Sequence, residues 1–117
     1  MGNFQKLVVW QMGKDLAVKI YKLTSSGQFF RDYRFRDQIR AAAVSIPSNI
    51  AEGNELKTAP QAVHFFHIAK GSLAELTTQL IIAKEINYLP EEEIEELLRA
   101  CDRLSRMLFR LIKSRAD

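Results

Sequence analysis

Cysteine is nearly missing from this chain. Cys101 stands alone, so no intramolecular disulfide can form. It falls on an apolar helical face, with no histidine and no helix N-terminus near it in sequence. That favours a reduced, core-filling thiol in a cytoplasmic protein over a catalytic one. Three prolines and five glycines are too few for a turn-rich β architecture, so a few long helices are expected. No apolar run approaches membrane-spanning length. Residues 1–12 lack the continuous apolar core and the small-residue cleavage site of a secretory leader. Lys6 occupies the position where myristoylation after Met1-Gly2 wants Ser or Thr. Neither a membrane partner nor a leader is therefore expected. Charge of one sign is not in large excess: the net value is +3, which permits nucleic-acid binding without demanding it.

What is present is ordinary globular material. The 117 residues hold 47% apolar and 26% charged side chains, enough for one domain, residues 1–117, with its own core. Apolar residues recur at helical spacing in four stretches. The first helix is expected from about Phe4 to Thr24, with Val9, Met12, Leu16, Ile20 and Leu23 inward and Thr24, Ser25, Ser26 and Gly27 stopping it. The second begins near Asp32 to Phe35 and ends near Gly53, which suits a C-terminal cap. The third starts at Thr58, an N-cap with Pro60 in the first turn, and runs to about Asn87, about 42 Å. The fourth opens at Pro90, sets Glu91, Glu92 and Glu93 against the positive end of the helix dipole, and continues to about Lys113. Short joints make successive helices antiparallel neighbours. The expected fold is all-α: an antiparallel up-down-up-down four-helix bundle with a proline-kinked second helix.

The kink is placed by Arg40–Gly53, RAAAVSIPSNIAEG. Ile39, Ala42, Ala43, Ile46 and Ile50 form an apolar stripe, and Pro47 sits within it. Proline removes a backbone donor and crowds the preceding turn. Ser45, Ser48 and Asn49 stand ready to bond the loosened backbone. Asn49 and Glu52 look site-like, yet no nucleophile partner, metal cluster or phosphate loop accompanies them. Pro47 and Asn49 are read as structural residues.

This segment, with FFHIAKGSLAEL (Phe65–Leu76) and VVWQMGKDLAVKIYKLT (Val8–Thr24), resembles the four-helix-bundle proteins encoded within intervening sequences of bacterial 23S ribosomal RNA genes. The likeness covers nearly the whole chain and keeps the order of the three blocks. It implies a compact bundle assembled into a ring of five, and no particular activity. More distantly, the chain is similar to the pentameric accessory proteins of diversity-generating retroelements, which bind nucleic acid. Two departures count against a basic surface near the second helix. IAEG is followed by NELKTAPQ, whose one cation is Lys57, where the family pattern is arginine-rich. Ala41 follows Arg40 where a second arginine is common.

Two surface features remain. First, the third and fourth helices are apolar over more than one arc. Ile68, Ile82 and Ile86 point away from the stripe of Phe66, Ala69, Leu73, Leu76 and Leu80. Met107, Leu98 and Phe109 flank the stripe of Leu97, Cys101, Leu104, Leu108 and Leu111, widening it to roughly 200°. Aligned excess of this kind suggests contacts between copies, at Ile68, Ile82, Ile86 and Phe109, unless the third helix is simply central and covered. Gly71 and Ser72 permit a close backbone approach, inside the bundle or between copies. Trp10 belongs to the core or to that interface. Second, Arg99, Arg103, Arg106, Arg110 and Lys113 fall within roughly 80° of one face, opposite the leucines. Such a line can neutralise phosphates of RNA or DNA without reading bases. It can equally be a solvated face, with Glu95–Arg99 and Asp102–Arg106 paired along the helix. Tyr33 among Arg31, Arg34 and Arg36 offers a lesser aromatic among cations.

No enzyme is expected. His64 and His67 are three apart, with Glu75 on the side of His64, but no convincing third or fourth ligand follows, so no metal, cofactor or small-molecule substrate is assigned. The expected function is a non-enzymatic homo-oligomer, pentameric by resemblance, that binds structured RNA or another nucleic acid through the basic face. The alternative is a protein-interaction scaffold that binds no nucleic acid.

Overall fold

A computed structural model describes residues 3–56 and 58–116. A 3-10 turn, Phe4–Lys6, leads into α1 (Val8–Leu23), α2 (Gly27–Arg31), α3 (Tyr33–Glu55), α4 (Ala59–Glu85) and α5 (Glu91–Ala116). The described residues contain no strand, and four of the five helices are long. The molecule measures 44 × 24 × 21 Å, its long axis matching the length of α4, about 40 Å. α3 packs on α1 and on α4, α4 packs on α5, and α5 returns to α1 through the thinnest of these contacts.

Local chemistry sets the helix ends. Asp32 accepts from the Phe35 amide at 3.2 Å to start α3, and Thr58 accepts from the Gln61 amide at 3.4 Å to start α4. α4 stops because Asn87 turns left-handed, with φ 60°. The Asn87 and Tyr88 amides then reach back to the Lys84 and Ala83 carbonyls at 3.1 and 2.9 Å. α4 therefore ends at Glu85, with Ile86 as its C-cap and left-handed Asn87 just beyond.

Two local expectations fail. The segment between Gly27, at φ 69°, and Asp32 forms the short helix α2, which carries no readable period of its own. It delivers Phe29 to full burial, stacked on Phe35 at 5.1 Å and tilted against Tyr88 at 5.3 Å. The Tyr88 hydroxyl donates to Asp32 Oδ2 at 2.8 Å, so this cluster ties the α4–α5 joint to the α3 N-terminus. Gly53, in turn, does not cap α3, which runs on to Glu55. It is a crossing point: a Cβ there would lie 2.7 Å from Phe66 Cε1 and 3.0 Å from the Ala62 carbonyl oxygen. Gly13 plays a similar part against α3, where a Cβ would meet Ile46 Cγ2 at 3.1 Å and the Pro47 nitrogen at 3.5 Å.

The core follows the apolar stripes. Ile39, Ala42, Ala43, Ile46 and Ile50 of α3 are buried with Phe66, Ala69, Leu73, Leu76 and Leu80 of α4. On α5 the buried row is Ile94, Leu97, Cys101, Leu104, Leu108 and Ile112, with Ile112 taking the place expected of Leu111. Met12, Leu23 and Trp10 of α1 are partly buried against this core, and Phe4 meets Trp10 edge-on at 5.3 Å. Arg40 clips α3 to the end of α1. Its Nε donates to Thr24 Oγ1 at 2.8 Å and its guanidinium lies 4.5 Å from the Tyr21 ring centre. A cation at the C-terminus of α1 also meets the negative end of that helix dipole.

Candidate nucleic-acid interface

α5 presents its cations because its leucine row is pinned inward. With Leu97, Leu104 and Leu108 buried, Arg99, Arg103, Arg106, Arg110 and Lys113 are all exposed along the opposite side. At 1.5 Å per residue the row is about 21 Å long. Arg106 meets Asp102 at 3.2 Å; both side chains are well exposed, so the pair is weak and open to exchange for another anion. The described residues offer no ion pair to Arg99, Arg103, Arg110 or Lys113.

The acidic start of α5 adjoins the head of this row: Arg99 shares a groove with Glu91, Glu92 and Glu95, and Arg103 shares one with Asp15 and Glu96. Glu95 stands at pairing distance from Arg99 along the helix, but its ion pair is with Lys84 of α4, from which it accepts at 2.6 Å. Glu96 accepts from Lys19 of α1 at 2.9 Å. The hydrogen bond and charge of Lys84 hold the Glu95 carboxyl below its ordinary range, and Lys19 does the same for Glu96. The Glu95 hydrogen bond likewise raises the Lys84 ammonium. A lysine delivered from a neighbouring helix has prevailed over the local arginine.

Two cations outside the row matter. Lys70 of α4 donates to Ser105 Oγ at 3.3 Å, beside the row, a position that only helix packing reveals. With Ser105, Arg106, Phe109 and Arg110 it lines an open groove of about 400 Å³. Phe109 is 56% exposed there, and Lys113 Nζ lies 5.9 Å from its ring centre. Arg115 turns inward instead, donating to Asn54 Oδ1 at 3.1 Å and reaching the Phe66 ring at 5.5 Å. At the start of α3, Tyr33 is exposed, but Arg36 already sits against it and against Phe30, at 5.0 and 4.8 Å.

The remaining candidates separate cleanly. Asn49 donates through Nδ2 to the Ser45 carbonyl at 2.8 Å and to Ser45 Oγ at 2.9 Å, and Ser45 Oγ meets Ser72 Oγ at 2.8 Å. Ser45 and Asn49 stand two residues either side of buried Pro47, and Ser45 carries this polar chain across to Ser72 of α4. Glu52 is exposed. Ile68, Ile82 and Ile86 are between 38% and 45% exposed on α4. A Cβ at Gly71 would meet nothing within 4 Å, so no other element of this chain makes a close approach there. His64 and His67 are exposed, and the described residues hold no cluster of three or more His, Cys, Asp or Glu able to hold a metal. Burial pushes the Cys101 thiol up to about 11, which leaves it protonated and unreactive at neutral pH. No described helix is long and apolar enough to cross a membrane. Lys57 and the Met1-Gly2 pair lie outside the described residues.

Comparison with known proteins agrees with the helical architecture. A crystal structure of a protein of unknown function from the S23 ribosomal protein family, from Bacteroides thetaiotaomicron, is similar with a TM-score of 0.84 at 23% identity. The match covers 91% of this chain and 99% of that one. No curated protein matches the sequence. The family model for the 23S rRNA-intervening sequence protein matches residues 5–110, and the chain therefore belongs to that family.

Proposed function

We propose that this chain is a non-enzymatic, homopentameric four-helix-bundle protein of the cytoplasm that binds structured RNA by its phosphate backbone, through α5. The observation that carries the reading is the exposed row of five cations, four of them without an ion pair among the described residues. Arg103 and Arg110 anchor the middle of the row, and Arg99, Arg106 and Lys113 extend it. Contacts to phosphate give affinity without base specificity, so binding is steeply salt-dependent.

The bundle is antiparallel and up-down-up-down, with α3 bent at Pro47. Its support is the order of the contacts: Gly53 meets Phe66 while Ser45 meets Ser72, and Lys84 meets Glu95 while Lys70 meets Ser105. Residue numbers rise on one helix as they fall on its neighbour. Copies associate through the exposed isoleucines of α4, Ile68, Ile82 and Ile86, beside the open backbone at Gly71. Those isoleucines also favour the second reading, a protein-interaction scaffold that binds no nucleic acid.

Fluorescence anisotropy with a labelled ribosomal RNA fragment, at low and physiological salt, separates the two. The parent should bind with a steep salt dependence, and Arg103→Glu with Arg110→Glu should abolish binding at unchanged mass. Absence of salt-sensitive binding by the parent removes the nucleic-acid reading and leaves the scaffold. Light scattering on Ile82→Lys with Ile86→Lys tests the association face; a pentameric mass retained by this variant overturns it.

A further inference from the structure

Phe109 is exposed on α5, and the groove beside it carries no second apolar side chain among its lining residues. The groove beside it is lined by Lys70, Ser105, Arg106 and Arg110, and Lys113 Nζ lies over the ring, 5.9 Å from its centre. Among the described residues no carboxylate lines this groove; Asp102 lies in the adjoining one, with Lys70, Ser105, Ile81 and Leu98, and pairs with Arg106. The other grooves differ. The cleft between α1 and α5 carries Asp15 and Glu96, and the one at the start of α5 carries Glu91, Glu92 and Glu95. The groove between α1 and α3 is lined by Tyr21, whose ring is already met by Arg40. An exposed aromatic ring inside a ring of cations suits one kind of ligand: a flat π surface bracketed by anions.

We propose that Phe109 is a stacking seat for one unpaired nucleobase, with the flanking phosphates held by Lys70, Arg106, Arg110 and Lys113. This rests on the reading of α5 as a phosphate-binding face and narrows it. A row of cations alone accepts duplex and single strand alike. A side chain that must lie against a base face requires a base already out of the helix stack, so the site prefers single strands, loops and bulges to continuous duplex. Lys113 Nζ, 5.9 Å from the ring centre, gives up that contact when a base stacks on it, and its charge then falls to the flanking phosphate. Stacking tolerates any base, so no sequence preference accompanies it.

The test compares Phe109→Leu, which keeps apolar bulk but loses the π face, and Phe109→Trp, which restores it. Binding is measured on a labelled oligouridylate, on a long blunt RNA duplex, and on an oligonucleotide carrying 2-aminopurine, whose fluorescence is quenched on stacking. Phe109→Leu should weaken oligouridylate binding by roughly tenfold or more and abolish the quenching, with duplex binding unchanged, and Phe109→Trp should recover both. Equal oligouridylate affinity for Phe109→Leu and parent overturns the seat and leaves the phosphate row standing. A parent that binds none of the probes overturns both. The mass of each variant is measured alongside. A smaller oligomer for Phe109→Leu returns this ring to the contacts between copies and overturns the seat.

Discussion

Replacing Gly53 by alanine should destabilise the protein, although alanine is the better helix former. Gly53 lies inside α3, where an exposed glycine-to-alanine change gains roughly 0.8–1 kcal/mol. Here the added methyl carbon would stand 2.7 and 2.9 Å from two ring carbons of Phe66 and 3.0 Å from the Ala62 carbonyl oxygen. Carbon atoms settle at about 3.5–4.0 Å, so the overlap is close to an ångström. Phe66 is wholly buried and the carbonyl belongs to the α4 backbone, so neither can yield without moving a helix. Overpacking of this kind costs about 1–3 kcal/mol, so after the propensity gain the net loss should be on the order of 1 kcal/mol. Gly71→Ala meets nothing within 4 Å in its own chain, so it should gain up to about 1 kcal/mol where no copy packs on that backbone, and a loss there places a second copy against it. Urea denaturation at one fixed protein concentration reads the order, because association makes stability concentration-dependent. Phe66→Leu should cost less in the Gly53→Ala background than in the parent. A Gly53→Ala midpoint at or above the parent's refutes the steric argument.

Asp32→Ala removes both the α3 cap and the Tyr88 acceptor and should cost about 1–2 kcal/mol in urea denaturation, whereas Asp32→Asn, which keeps an acceptor oxygen, should cost less. Cys101, buried and raised to about 11, should react with a thiol-specific disulfide reagent at pH 8 only as fast as the protein opens; rapid stoichiometric labelling of the folded protein would contradict its burial. Glu95 and Glu96 have carboxyl values lowered on folding, so their contribution is present above the ordinary value of 4.5 and is lost as pH falls through the folded values below it. Glu95→Gln with Glu96→Gln should therefore flatten the acid limb of a stability–pH curve, and an unchanged limb would show that Lys84 and Lys19 contribute nothing there.

The sequence by itself determined where the four long helices lie and which face of each is buried. That information is local: a 3.6-residue period, caps at Thr58 and in the Glu91–Glu93 turn, and stripes such as Ile39–Ile46–Ile50 repeat within a single element. The basic row was legible for the same reason, since the residues opposite a buried leucine row must face outward. Tertiary structure decided whatever depended on a partner from another element. Gly53 has the same letter whether it caps a helix or lets one cross another, and only the position of Phe66 distinguishes the two. α2 exists because Phe35 and Tyr88 receive Phe29, and five residues carry too few turns to announce themselves. Glu95 chose Lys84 over Arg99, an energetic competition between a cross-helix lysine and a same-helix arginine that spacing cannot judge. Lys70 joined Phe109 for the same physical reason: proximity across two helices is a property of packing, and packing is not written in either helix alone.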